Sequence, residues 1–287
     1  MSFVIHTDSG CDISPALLNE WGVVCTSLTF RFDDVDKEYS NTDMSPSDFY
    51  AKMREGATAK TSAINSEMFR VVFEETLKEG NDVLYLAFSS GLSTTYNSAR
   101  MAAEELRSQY PERKVVVVDT LAASAGQGML VKLAVDKKNE GAALEEVAAY
   151  VDKHITKLCH WFTVDDLMYL KRGGRVSPTV AFVGNALGIK PILHVDYEGH
   201  LVKVTKARSR KNSIATLADK YMELAENLGQ GPVFISHGNC LEDAEALANL
   251  LKERYGATVE IITDVGPVIG AHSGPGTLAL FFIGTER

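Results

Sequence analysis

The stretch VLYLAFSSGLSTTYNSARMAAEEL, residues 83–106, decides the fold. It opens with an unbroken apolar run, Val83–Phe88, which lacks the alternation of a half-exposed strand and is typical of a strand covered on both faces. Hydroxyl-bearing residues follow at 89–95. Apolar residues then recur every three or four positions, which indicates one face of a helix: Tyr96, Ala99, Ala103 and Leu106. The stretch therefore predicts a strand, a hydroxyl-rich loop and a helix.

The same arrangement recurs on both sides of this unit. Further apolar runs that predict buried strands are Phe3–Thr7, Val23–Phe32 and Val115–Val118. Ser14-Pro15 and Ser45-Pro46 each predict a helix start, because proline is favoured at the first helical position. A third helix is predicted from Asn65-Ser66 to Gly80. Alternating strands and helices predict a parallel α/β domain over residues 1–158.

The second half follows another pattern. The runs Ile189–Val195 and Leu201–Lys206, joined by a turn at Glu198-Gly199, predict an antiparallel hairpin. Further strands are predicted at Cys159–Val164, Val233–Ser236, Val259–Thr263 and Leu278–Ile283, with helices over 212–228 and 242–255. We therefore expect a mixed α+β domain over residues 159–287, and an α/β protein of two domains in all.

Composition excludes several classes. The 287 residues are 45% hydrophobic and 23% charged, which is too apolar for a disordered chain. The net charge of −9 argues against nucleic acid or an anionic membrane as the main partner. The four cysteines form no C-x-x-C pair and predict neither zinc nor disulfides, so a reducing cytosol fits best. The apolar stretch 266–285 is broken by glycine and proline and is interpreted as a loop plus a buried strand.

Known catalytic motifs are absent. The sequence has no P-loop, no G-x-G-x-x-G fingerprint and no G-x-S-x-G nucleophile elbow. Its seven histidines show no metal-ligand spacing. We therefore expect neither a metal ion nor a cofactor.

Two hydroxyl-bearing loops are candidate ligand sites. Ser93 and Thr94 follow a buried strand and precede a helix, where ligands bind in open α/β sheets. Ser93 could equally cap that helix. Thr61 and Ser62 precede a helix that Asn65 or Ser66 would cap, so they lie too early for that role and could donate to a ligand instead.

A third candidate is the segment Gly266–Gly276, which holds four glycines and two prolines around His272 and Ser273. Such glycine density allows close approach of the backbone to a ligand, although a tight turn would also explain it. Asp8, at the end of the first strand, could act as an acid or base or could brace the loop.

Two basic clusters stand out on this acidic chain. Arg172 and Arg175 lie in the first, and Arg208 and Arg210 in the second. They are either solvated loops or a docking patch for an acidic partner.

Taken in order, these motifs resemble the DegV family, specifically the fatty-acid-binding subunit of bacterial fatty acid kinase. The resemblance spans nearly the whole chain. It is carried by Thr7-Asp8-Ser9, Thr61-Ser62, Ser89-Ser90-Gly91-Leu92-Ser93, Thr95-Tyr96, Leu170 to Ser177, Lys190-Pro191-Ile192-Leu193 and the Gly266–Gly276 segment. The sequence departs from the family pattern at Ala63-Ile64, Thr94 and Ser273.

The resemblance implies one long-chain fatty acid in a tunnel between the two domains. Thr61, Ser62 and Ser93 would hold its carboxylate with His272 close by, and we add Asn65 and Thr94 as neighbouring contacts. A separate ATP-binding kinase subunit would phosphorylate the acid to an acyl phosphate for phospholipid synthesis. The chain itself would be a non-catalytic, cytoplasmic carrier that contacts membranes transiently, with a mobile segment at Ser177–Gly188.

Two other functions stay open on the sequence. One is a serine hydrolase or acyltransferase with Ser93 as nucleophile, His272 as base and Asp8 orienting it. The other is a module that binds a sugar or a dihydroxyacetone-type ligand. A sugar site would show more Asn, Asp and Trp than an acyl site.

Overall fold

The computed structural model of the protein describes residues 2–177 and 188–287. In chain order its elements are β1 (Phe3–Asp8), a 3-10 turn (Ser9–Cys11), α1 (Pro15–Glu20), β2 (Val23–Thr26), β3 (Thr29–Phe32), β4 (Tyr39–Ser40), α2 (Pro46–Arg54), β5 (Ala59–Ser62), α3 (Ser66–Lys78), β6 (Asp82–Ala87), α4 (Thr95–Gln109), β7 (Val115–Asp119), α5 (Ala125–Asn139), α6 (Leu144–Ile155), β8 (Leu158–Thr163), α7 (Leu167–Arg172), β9 (Lys190–Val195), β10 (Leu201–Ala207), α8 (Arg210–Leu224), β11 (Val233–His237), α9 (Leu241–Tyr255), β12 (Ile261–Asp264), α10 (Pro267–Ser273) and β13 (Leu278–Ile283).

The first half is built on a parallel sheet in the order β2-β1-β6-β7. Every residue of β6 is buried, as the unbroken apolar run predicted for a strand covered on both faces. Both predicted Ser-Pro helix starts are confirmed, because Ser14 and Ser45 accept hydrogen bonds from backbone N–H groups in the first turns of α1 and α2. The predicted parallel α/β domain is therefore present.

Two predictions in this half are wrong in detail. Val23–Phe32 is not one strand, because the chain leaves the parallel sheet after Thr26 and enters a small antiparallel sheet in the order β4-β3-β5. The Ser9 hydroxyl stabilises the chain at this break, because it accepts a hydrogen bond from Leu28 N at 2.9 Å. The loop predicted around Thr61 is largely strand β5, which pairs with β3.

The second half is a six-stranded mixed sheet in the order β10-β9-β8-β13-β11-β12. The predicted hairpin is β9 and β10, and within this sheet β11 and β12 pair in parallel. Along the chain, β8 is the first strand to enter this sheet. It begins at Leu158, beside the domain boundary that we place between residues 158 and 159. That boundary stays a prediction, because one continuous hydrophobic core contains residues from both halves.

Helix α5 lies between the two large sheets and contacts strands of both. Two glycines in its first turns permit this close packing. A Cβ atom at Gly126 would lie 2.5 Å from the His160 ring, and one at Gly128 would lie 2.5 Å from Ile13. The missing side chain at Gly126 thus lets α5 lie close to β8 of the second half, whereas Gly128 lets α5 pack on Ile13 within the first half.

The Gly266–Gly276 segment, which we interpreted as a loop, contains helix α10. Pro267 occupies its first turn, where its fixed φ is compatible with a helix. Gly270 is needed for packing rather than for a turn, because a Cβ atom there would lie 2.5 Å from the Tyr50 hydroxyl oxygen. Gly274 and Gly276, by contrast, follow the helix with φ values of 80° and 77°, so the glycine density serves both close packing of α10 and a turn after it.

Asp12 joins the first half to the start of α10. Its carboxylate accepts hydrogen bonds from Gly266 N at 3.0 Å and from the Ser124 hydroxyl at 2.6 Å. Ser124 also lies 2.9 Å from the hydroxyl of Ser236 on β11. Complete burial raises the pKa of Asp12 to about 7, and the negative charges of Asp264 and Asp8 add to the rise.

We expect Asp12→Asn to remove one component of the pH dependence of stability. Unfolded aspartate titrates near pH ~4, whereas folded Asp12 keeps its proton to about pH 7. Protonated Asp12 therefore contributes its full stabilisation below pH ~4. As the pH rises from there to about 7, the free energy of unfolding falls by up to ~4 kcal/mol. Buried histidines with lowered pKa values have the opposite effect, because they make the free energy of unfolding rise with pH. The variant is therefore compared with the wild type by urea unfolding at several pH values. If the free energy of unfolding depended on pH equally in the two proteins, the raised pKa of Asp12 would be contradicted.

Candidate functional site

A cavity of about 500 Å³ lies between the two halves. Its wall is predominantly apolar and includes Leu92, Phe162, Val195, Leu201, Val268 and Phe281. This volume falls within the range of small-molecule sites in proteins. Both halves contribute to the wall, so the cavity exists only in the assembled fold.

One end of the cavity carries a contact between the halves. The Thr61 hydroxyl on β5 lies 2.8 Å from Nε2 of His272 on α10. Alternate residues of a strand point to opposite faces, and accordingly Thr61 and Ala63 line the cavity whereas Ser62 does not. The structure thus brings together two residues that are 211 positions apart in the sequence.

His272 is neutral at physiological pH. Burial lowers its pKa to about 4, and the positive charge of Arg175 contributes. Its Nδ1 atom has no hydrogen-bond partner within residues 2–177 and 188–287. A Cβ atom at Gly173 would lie 2.2 Å from that nitrogen, so Gly173 makes room for the ring.

Ser93 and Thr94 line the same cavity at the start of α4. The Ser93 hydroxyl lies 2.8 Å from that of Thr95 and accepts a hydrogen bond from Thr95 N at 3.2 Å. Thr94 is exposed to solvent, as is Ala63 on the facing segment. This end of the cavity therefore opens at the protein surface.

Arg175, which we assigned to a docking patch, lies on the cavity wall. Its guanidinium donates hydrogen bonds to the carbonyl oxygens of Leu92 and Gly173. Burial lowers its pKa. The sequence showed only a charged residue after two glycines, and nothing in that pattern indicated an inward-facing side chain.

Two further predicted contacts lie off the cavity wall. Ser62 is exposed, on the opposite face of β5 from Thr61. Asn65 is the N-cap of α3, where its side-chain oxygen accepts a hydrogen bond from Met68 N at 2.9 Å. Capping thus accounts for Asn65 without a ligand.

The remaining arginines of the two basic clusters divide into two kinds. Arg172 and Arg208 are exposed, and the Arg172 guanidinium lies 5.4 Å from the centre of the Tyr169 ring. Arg210, in contrast, forms an ion pair with Asp243 at 2.9 Å that ties α8 to α9. This ion pair accounts for Arg210 without a docking role.

The triad required by a hydrolase is not assembled. His272 bonds to Thr61 and Ser93 bonds to Thr95. The carboxylate of Asp8 is buried elsewhere, where it accepts hydrogen bonds from the Tyr85 hydroxyl and Phe88 N, and its pKa is raised by burial. The cavity wall also lacks Asn, Asp and Trp among the residues that the structure describes, unlike a sugar site.

The described part of the chain has neither a metal-binding cluster nor a membrane-spanning helix. No group of three or more His, Cys, Asp or Glu side chains there is arranged to hold a metal ion. None of the helices that the structure describes combines the length and the apolar character needed to cross a bilayer. The predicted mobile segment falls almost wholly on residues 178–187, which lie outside the described residues.

The fold and the cavity together define an α/β protein with a parallel-sheet domain, a mixed-sheet domain and an apolar cavity between them. This chain belongs to the DegV family, whose sequence model matches residues 2–285. A DegV domain-containing protein of Clostridium perfringens is 43% identical over 99% of this chain and 98% of its own length.

Solved structures support the same membership. A fatty-acid-binding DegV family protein from Thermus thermophilus is 32% identical and superposes with a TM-score of 0.89 over 99% of this chain and 100% of its own. A DegV lipid-binding protein from Thermotoga maritima is also 32% identical, with a TM-score of 0.87 over all of both chains.

Proposed function

We propose that this chain binds one long-chain fatty acid in its cavity and presents the carboxylate to a separate kinase subunit. That subunit would phosphorylate the acid with ATP to an acyl phosphate that enters phospholipid synthesis. The observation that carries the proposal is an apolar cavity whose polar end, at Thr61, Ser93 and His272, opens at the surface. The Thermus and Thermotoga relatives, described as fatty-acid-binding and lipid-binding, support the choice of ligand.

The apolar wall would supply most of the affinity. Each buried methylene contributes about 0.8 kcal/mol, so a chain of more than a dozen gives on the order of 10 kcal/mol before the costs of association. The apolar wall offers such a chain nearly continuous contact.

The polar end would satisfy the carboxylate, because burying an ionised carboxylate without donors is costly. The hydroxyls of Thr61, Ser93 and Thr94 and the neutral imidazole of His272 can donate to it. The guanidinium of Arg175 would add a positive charge, although its hydrogen bonds already go to the backbone carbonyls of Leu92 and Gly173. Because Thr94 is exposed, a carboxylate held here would face solvent and an approaching partner.

Native mass spectrometry of the purified protein tests the ligand, and we expect a copurified acyl chain. Ser93→Ala should remove one donor and weaken fatty-acid binding by roughly 1–3 kcal/mol, measured by calorimetry after delipidation. Asn65→Ala is the control, because Asn65 lies off the cavity wall. A purified protein that contains no acyl chain and does not bind added oleate or palmitate would refute the proposal.

The exposed arginines Arg172 and Arg208 are our proposed docking residues for the kinase. Replacing both with Glu should weaken kinase-dependent formation of acyl phosphate while fatty-acid affinity stays unchanged, because charge complementarity acts mainly on association. Lys252→Glu, an exposed change on α9, is the control. Equal loss of lipid binding and kinase coupling would argue against docking.

Loading the acid would require transient contact with a membrane surface.

A further inference from the structure

Two of the four cysteines lie together in the fold, although they are distant in the sequence. Cys11 ends the 3-10 turn after β1 and is 1% exposed. Cys25 lies on β2, where it pairs with Thr7 of β1, and it is exposed. Alternate residues of a strand share a face, so Cys25 lies on the same face of β2 as Val23. Val23 and Cys11 belong to one hydrophobic core, which places both cysteines on the same side of the sheet.

The two thiols interact. The pKa of Cys11 is raised, first by hydrogen bonding with the Cys25 thiol and then by burial, so Cys11 keeps its proton at neutral pH. Two sulfur atoms within hydrogen-bonding reach need only a small movement to attain the ~2.05 Å of a disulfide bond. Because β2 is an edge strand of its sheet, it can move more readily than the packed core.

The other two cysteines provide a contrast. Cys159 is buried, its Sγ donates to Glu286 O at 3.1 Å, and burial raises its pKa to about 12. Cys240 is half-buried, its Sγ donates to Thr277 O at 3.3 Å, and burial raises its pKa to about 11. Among the four cysteines, all of which the structure describes, Cys25 alone is exposed. Its thiol is therefore the one that an oxidant in solution reaches first.

The pair lies beside the point where the chain changes sheets. The hydrogen bond from Leu28 N to the Ser9 hydroxyl, at 2.9 Å, joins the segment that precedes Cys11 to the segment that follows Cys25. Leu28 lines the cavity. A covalent bond between the two sulfur atoms would therefore hold the same two segments that this hydrogen bond holds.

We propose that Cys11 and Cys25 form a reversible redox site, in which a peroxide converts the two thiols to a disulfide bond. The sulfur of Cys25 attacks an oxygen of hydrogen peroxide, the O–O bond breaks, and Cys25 becomes a sulfenic acid as one water molecule leaves. The sulfur of Cys11 then attacks that of Cys25, and the displaced hydroxyl leaves with the Cys11 proton as a second water molecule. Two thiols lose two electrons in all, and the peroxide gains them.

A thiol reductant reverses the reaction by thiol–disulfide exchange at the exposed sulfur of Cys25. Disulfide bonds of cytosolic proteins are usually transient and serve catalysis or redox sensing. This site is independent of the proposed function, because it uses neither the cavity nor a bound fatty acid.

The test treats the reduced, purified protein with hydrogen peroxide, blocks the remaining free thiols and maps the cysteines by mass spectrometry. We expect the loss of two hydrogen atoms and one cross-linked peptide pair through Cys11 and Cys25, with Cys159 and Cys240 still free. Dithiothreitol should restore the original mass. Because a disulfide restricts the unfolded chain, the oxidised protein should unfold at a temperature several degrees higher than the reduced protein.

Variants separate the two roles. Cys11→Ser should leave a sulfenic acid on Cys25 that dimedone traps, whereas Cys25→Ser should give neither the cross-link nor that adduct. Cys240→Ser is the matched control and should still form the cross-link. Thermal unfolding of each reduced variant identifies loss of folding, and the mapping of the wild-type protein does not depend on any variant.

Several results would overturn the proposal. One is oxidation of Cys25 to a sulfinic acid in the wild-type protein with no cross-link to Cys11. Others are a disulfide-linked dimer through Cys25 and a cross-link that involves Cys159 or Cys240 instead. An oxidised protein that unfolds at a lower temperature, or that dithiothreitol does not reduce, would equally contradict a reversible site that the native fold accommodates.

Discussion

Replacing Ala279 with Phe should nearly abolish binding of long-chain fatty acids and leave the protein folded. Ala279 lies on β13 between Ser236 and Phe162 of the neighbouring strands, and its side chain lines the cavity. A benzyl group there would occupy space that we assign to the tail. Displacing about four methylenes at about 0.8 kcal/mol each removes ~3 kcal/mol, which is about a hundredfold in affinity.

Folding should tolerate the change because the new ring enters an existing cavity rather than packed core. Titration calorimetry with palmitate and with hexanoate measures the effect, and the short acid should lose much less. Ala246→Phe, at an exposed position of α9, is the matched control. Unchanged palmitate affinity in a folded Ala279→Phe protein would show that the acyl chain lies elsewhere.

Replacing Arg287 with Ala should cost roughly 3–5 kcal/mol in the free energy of unfolding. The side chain is 6% exposed and donates to the carbonyl oxygens of Leu158 at 3.2 Å, Asp196 at 3.0 Å and Leu121 at 2.5 Å. Leu121 belongs to the first half of the molecule, Asp196 to the second, and Leu158 begins β8 at the boundary between them. Removal would leave buried carbonyl oxygens unpaired and would loosen the junction between the halves.

Urea unfolding measures this loss. Arg287→Lys keeps the charge but not the fork of donors, and we expect it to recover only part of the stability. Glu286→Ala is the control, because that side chain is exposed. A loss below about 1 kcal/mol in Arg287→Ala would mean that water replaces the guanidinium at these carbonyls.

Much of the architecture could be predicted from the sequence. The parallel strands, the hairpin of β9 and β10 and the helices after Ser14 and Ser45 all depend on neighbouring residues, through apolar runs, turn residues and caps. Thr61, Ser93 and His272 were also predicted as candidates from their loops, and the resemblance to the DegV family assigned them to a carboxylate. Each lies on the cavity wall.

The errors share a physical cause. Val23–Phe32 contains no Gly, Pro, Asn or Asp to mark a turn. Its sequence therefore does not show that the Ser9 hydroxyl binds Leu28 N and that the chain passes there into another sheet. The arginines of the basic clusters look alike in the sequence. Arg175 turns toward the cavity and Arg210 pairs with Asp243 because of partners distant along the chain.

The sequence by itself determined the class of fold, the order of elements and the hydroxyl and imidazole groups offered to a ligand, since these follow from local periodicity and composition. The tertiary structure alone decided that Thr61 contacts His272, that Ser62 and Asn65 lie off the wall, and that Arg175 lies on it. The reason is that a cavity is the space left when two separately specified halves pack, and its shape depends on contacts between residues far apart in the chain.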